Sequence, residues 1–139
     1  MGRMSSLHNP LSGTTLGISV PPASRNGGAD NAGVNGASID LRGKRGVLFQ
    51  VSQGVTTGTA ATAARIQTGD NPDDSANANW TNVNYTAFPD AQVTNQTTDN
   101  AVYEMAYVPG VYNSSALHIR AVLTPEANVA LAAITHIVY

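Results

Sequence analysis

In Val47-Leu48-Phe49-Gln50-Val51-Ser52, apolar and polar positions alternate so that Val47, Phe49 and Val51 share one face, the period-two signature of a half-buried strand. The alternation returns twice. Over Val102 to Val108 it sets Tyr103, Met105 and Tyr107 against Val102, Glu104 and Ala106, and further on Leu117, Ile119, Ala121 and Leu123 alternate with His118, Arg120 and Val122. From Val129 to Tyr139 both faces are apolar, with Val129, Leu131, Ala133 and Ile137 on one and Ala130, Ala132, Ile134 and Val138 on the other. That pattern predicts a strand covered on both sides. The Ala and Leu content of Glu126 to Ala133 also permits a helix, but the β-branched finish Ile134 to Val138 favours a strand. For Thr59 to Gln67, interleaved Thr and flanking Gly-containing turns favour a strand over the helix that its alanines allow. Ile39 to Leu41 and Trp80 to Val83 are shorter strand candidates, whereas Pro89 argues against a central strand over Tyr85 to Pro89. Arg42-Gly43-Lys44-Arg45-Gly46, Gln53-Gly54 and Pro109-Gly110 punctuate these runs as turns. About seven short strands and no long helix predict an all-β fold, a two-sheet β-sandwich of jelly-roll or Greek-key type. Trp80, Phe49, Phe88 and the tyrosines must supply much of its core.

The division of the chain falls near Ala37. Residues 1–36 are short of aromatics, contain Pro10, Pro21 and Pro22, and end in a Gly- and Asn-rich stretch from Ser24 to Gly33. They read as an extended N-terminal arm, and residues 37–139 as the β-sandwich domain. Leu11, Leu16, Ile18 and Val20 are spaced apolar residues along the arm that fit docking points, with Arg25 as a polar anchor. The other reading is a frayed terminus with incidental hydrophobes. Met1 to Ser12 lacks the apolar stretch of a signal peptide and no long apolar run follows, so synthesis in a cytoplasm and no membrane partner are expected.

Composition narrows the function classes. The chain has 139 residues, no Cys, a single Lys and a formal net charge of −2. Disulfide scaffolds and Cys-ligated zinc sites are excluded, and the basic footprint of a nucleic-acid binder is missing. Charged residues make up 12% of the chain, against about 25% in ordinary soluble domains. Such a surface fits protein neighbours better than water.

Signals for catalysis are weak, and no cofactor is expected. His8, His118 and His136 show no metal-ligand spacing; His118 and His136 fall on the off-faces of consecutive strands, where a cross-strand pair or a structural role is open to them. No Gly-x-Ser-x-Gly elbow occurs. Asp70, Asp73 and Asp74 offer oxygen donors for calcium, but Pro72 interrupts any EF-hand spacing, and a solvated turn is the preferred reading. Asn-x-Ser/Thr sequons such as Asn79-Trp80-Thr81, Asn95-Gln96-Thr97 and Asn113-Ser114-Ser115 carry no weight in so Asn- and Thr-rich a chain.

The succession Ala37-Ser38-Ile39-Asp40-Leu41, Gly46-Val47-Leu48-Phe49-Gln50-Val51 and Arg65-Ile66-Gln67 leads into an Asp-rich polar loop and Trp80-Thr81-Asn82-Val83. With Asp99-Asn100-Ala101-Val102-Tyr103 and Leu117-His118-Ile119-Arg120-Ala121-Val122 it resembles a family of small β-rich proteins of tailed bacteriophages and prophages encoded among the head genes. The chain departs from that family in a longer loop at Asn71 to Asn79 and in its long N-terminal arm. The resemblance implies a non-enzymatic virion component, a head decoration or cement protein on the capsid exterior. Its implied partners are the major capsid protein, whose neighbouring subunits it staples, and further copies of itself in a homotrimer. Other virion roles remain open, as a head-completion, neck, tail or adhesion module. So does a carbohydrate-binding module stacking sugars on Trp80, Tyr85 and Tyr112.

Overall fold

The computed structural model describes residues 14–26, 33–56, 62–70, 80–84, 89–96, 98–110, 116–125 and 129–139. Ten strands run through them: β1 (Thr15–Arg25), β2 (Val34–Asn35), β3 (Ile39–Asp40), β4 (Val47–Gln53), β5 (Thr62–Gly69), β6 (Trp80–Asn82), β7 (Gln92–Gln96), β8 (Ala101–Tyr107), β9 (His118–Pro125) and β10 (Val129–Val138). A short 3-10 turn, Pro89–Ala91, leads into β7, and no α-helix occurs among the described residues. The strands form two antiparallel sheets. The first has the order β1-β10-β4-β8; the second has β2-β9-β5-β6, with β3 also pairing β9 and β7 also pairing β5.

Alternation in the sequence becomes the division between inside and outside. Val47, Phe49 and Val51 of β4 are fully buried, and Met105 and Tyr107 of β8 point to the same side. Ala132, Ile134 and Val138 of β10 complete the inner face of the first sheet, while Ala64, Ile66, Ile119, Ala121 and Leu123 form that of the second. All belong to one apolar cluster. Each large side chain buried there contributes about 1.5–3 kcal/mol relative to exposure. Phe49 sits at the middle of β4, its ring meeting the His136 ring edge-on at 6.3 Å between centroids.

The structure rearranges several expectations. Of the stretch Glu126 to Ala133 that permitted a helix, the described part from Val129 is extended within β10, and of Thr59 to Gln67 the described part from Thr62 lies in β5. β7 is a strand that polar Gln92-Val93-Thr94-Asn95-Gln96 does not announce. The two histidines do not meet, because β9 and β10, although consecutive, belong to different sheets. Trp80 is buried but lies outside the apolar cluster, so Phe49, Met105 and Tyr107 supply the central bulk. Phe88, Tyr85 and Tyr112 lie outside the described residues.

The described part of the arm is sheet. β1 pairs with β10 from Thr15↔Val138 to Arg25↔Val129, and β2 pairs with β9. Three register shifts interrupt the β1 pairing. The first, between Ile18↔Thr135 and Val20↔Ile134, turns both Ser19 and Val20 inward, as a bulge does when two residues oppose one. Beyond β2 the chain touches both layers: Gly36 N donates to Ala121 O at 2.8 Å and Ala37 N to Ser19 O at 3.0 Å. A Cβ on Gly36 would stand 2.7 Å from the Ala121 carbonyl oxygen, so only glycine fits this crossing.

Candidate interaction face

The two sheets treat their outer faces differently. On the second, side chains bind one another: Arg120 Nε donates to Gln67 Oε1 at 2.9 Å, Gln67 Nε2 to Asn82 Oδ1 at 2.8 Å, and Arg65 Nη1 to Thr124 Oγ1 at 2.9 Å. The Arg120 guanidinium lies 4.5 Å over the Trp80 ring, a cation–π contact that leaves Arg120 at 1% exposure and Trp80 at 6%. Much of the polar surface here is tied up within the fold, although Arg65 Nε and His118 Nδ1 are buried without a hydrogen-bond partner.

On the first sheet the outer face mixes exposed apolar side chains with a few polar ones. The register aligns Leu16, Ile137, Leu48 and Ala106 in one row across all four strands, and Ile18, Thr135, Gln50 and Glu104 in the next. A third row holds Ala133, Ser52 and Val102. Leu16 is 66% exposed, Ile18 57%, Val102 59% and Leu131 52%. Among the residues in these rows Glu104 alone is charged. Leu16 and Ile18 flank a cleft of about 410 Å³ lined also by Gln50, Thr135, His136 and Ile137. Exposed large apolar side chains gathered on one face are a feature that surfaces for protein association share.

At the cleft β1 is fastened to β10 by a half-buried polar pair. Ser19 Oγ and His136 Nδ1 share a hydrogen bond of 2.7 Å. Gly17 makes room for the imidazole, since a Cβ there would lie 2.4 Å from His136 Nε2. Burial pushes the His136 pKa below its ordinary value of 6.5. The unfolded chain therefore takes up this proton at higher pH than the folded one. The stability involved is complete above the unfolded value and is lost as pH falls through it toward the folded pKa. Melting temperature is thus expected to decline as pH falls through the ordinary histidine value, and His136→Gln to flatten that decline. Identical slopes for both proteins would count against His136 as the titrating group.

The residues singled out for docking are placed unlike one another. Leu16 and Ile18 stand on the open face; Val20 is fully buried in the core; Arg25 Nη2 folds back to donate to the Pro21 carbonyl at 2.8 Å. Leu11 lies outside the described residues. Leu48, Val102, Leu131 and Ile137 complete the face, and pattern alone did not single them out for binding. Their signal is the second apolar face of β10, on which Leu131 stands exposed.

Other chemistry is sparse. Asp70 is exposed, Asp73 and Asp74 lie outside the described residues, and no group of three potential metal-binding side chains occurs among those described. The Asp40 carboxylate pairs with the Arg42 guanidinium, which holds it well below the usual carboxylate range. The Thr56 N–H and hydroxyl both donate to Asp99 Oδ1, at 2.8 and 2.9 Å, tying the loop after β4 to the turn before β8 and lowering the Asp99 pKa. Both pairs are solvent-facing turn contacts. No helix among the described residues is long and apolar enough to cross a membrane. Comparison with protein-family models and with curated proteins finds no match.

Proposed function

We propose that this protein is a non-enzymatic structural component of a tailed-phage virion, a decoration or cement protein that binds the outside of the head and bridges neighbouring major capsid subunits. The observation that carries the reading is the outer face of the first sheet, which exposes Leu16, Ile18, Val102 and Leu131 and has Glu104 as its lone charge in the aligned rows. A face of that character gains by being covered with protein and offers no group for catalysis. Leu16 and Ile18 are its contact points, and self-association as a homotrimer is the assembly that would present several such faces to a lattice.

Strand pairing supports the sandwich architecture. β1 pairs with β10, β2 and β3 with β9, β4 with β8, and β5 with β6 and β7. Such nesting supports a reading as one long hairpin rolled into two layers, the jelly-roll winding found in viral capsid and lectin domains. Fold alone does not assign a role, so the weight rests on the face. A sugar-stacking role for Trp80 finds no support, because Arg120 covers its ring.

The test is copy number and location. Heads purified with and without this protein should differ by hundreds of copies of the chain on the outer lattice, seen by cryo-electron microscopy. Density confined to a single neck or tail ring would replace decoration by a portal-proximal or tail role.

A further inference from the structure

Every open sheet ends in strands whose outward N–H and C=O groups lack partners, and such edges are either blunted or used. Most edges here are blunted. β1 carries Pro21 and Pro22 and three register shifts, β2 and β3 have two residues each, β6 has three, and β7 meets β5 through a register shift. β8 is different. Ala101–Tyr107 pairs with β4 over seven consecutive residues without a bulge, contains no Pro, Gly or Lys, and has no second partner among the described strands. Beside it opens a cleft of about 630 Å³ lined by Gln92, Val93, Gln96, Val102, Tyr103 and Glu104. Tyr103, in that lining, has a buried hydroxyl without a hydrogen-bond partner.

We propose that the β8 edge accepts an extended segment of a partner protein, which adds to the first sheet as a fifth strand with a Lys or Arg opposite Glu104. Main-chain hydrogen bonds supply affinity in such strand addition, and alternate side chains supply specificity. Val102, Glu104 and Ala106 share the outer face, so the complementary strand reads apolar, basic, apolar at every second position. Its intervening side chains turn toward Gln92, Gln96 and the Tyr103 hydroxyl, where small hydroxylated residues fit. A second copy is the poorer occupant. Antiparallel pairing of two β8 strands about their midpoint sets Glu104 against Glu104, and like charges directly opposite are destabilising. The inference rests on β8 and its cleft and is independent of the role in phage heads.

The experiment uses the full chain and an end-blocked peptide, Thr-Val-Thr-Arg-Thr-Val-Thr, whose pattern reads alike in both directions. Titrated to millimolar concentration against isotope-labelled protein, it should shift resonances of residues 101–107 and 92–96 saturably and slow amide exchange within 101–107. The same peptide with Glu in place of Arg should bind about fivefold or more weakly, and Glu104→Lys, an exposed substitution, should reverse the order. Absence of saturable binding, shifts confined to other strands, or equal binding of both peptides would overturn the proposal. So would protein self-association through 101–107 that excludes the peptide.

Discussion

Exchanging Leu16 and Ile18 together for lysine is expected to lower affinity for heads by about 100-fold or more while leaving the melting temperature nearly unchanged. Both side chains stand on the outer face, largely exposed, so the free protein loses little packing when they change. Surface substitutions of this kind usually cost less than about 0.5 kcal/mol of stability. In the complex the same positions would lie under protein, where each buried ammonium must be desolvated without a partner. Interface anchors commonly contribute about 2 kcal/mol or more apiece, or about 30-fold in affinity. Cosedimentation of labelled protein with undecorated heads measures the effect directly. Unchanged binding by a folded double variant would move the lattice contact away from the first sheet.

Phe49→Ala should be the most destabilising single change. The ring is fully buried at the centre of β4, opposite Met105 on one neighbour and His136 on the other. Removing a buried Phe side chain typically costs about 3–5 kcal/mol, transfer and cavity terms together. Total stability of a domain is about 5–15 kcal/mol, so a large share goes. A fall in melting temperature of about 10 °C or more follows for a chain of this size. Phe49→Leu should recover most of it, because it refills the volume. Urea unfolding would show the loss as a shifted midpoint with unchanged slope, and a shift smaller than that of Phe49→Leu would contradict the assignment of Phe49 as the central packing element.

The legible parts of the fold were those in which one rule acted alone. Val47, Phe49 and Val51 alternate cleanly because β4 has one buried face, and the inner residues of β8 followed for the same reason. Where a second influence entered, pattern misled. Pro21 and Pro22 disguise β1 as irregular chain, yet on an edge strand with bulges proline's missing N–H costs nothing. His118, Arg120 and Val122 alternate as a solvent face should, but all three are buried, with Trp80 stacked on Arg120. Likewise the two apolar faces of β10 imply a cover, whereas Leu131 stands 52% exposed. A missing cover is invisible in a single chain's sequence, since it is a property of what the chain meets. Of the candidate contacts, Leu16 and Ile18 were readable as spaced hydrophobes. That Val20 turns inward depends on a bulge that spacing does not encode.

β10 lies between β1 and β4, and the Ser19–His136 bond that secures it joins positions 117 apart in the chain. During synthesis at about 5–20 residues per second, β1 therefore waits roughly 6–23 s for its partner. Until β10 arrives the first sheet lacks an inner strand, and the rows running from Leu16 to Ala106 are not assembled. Because β10 supplies a position in every aligned row, the exposed face of the first sheet can form only once β10 has been made, however early β1 emerges.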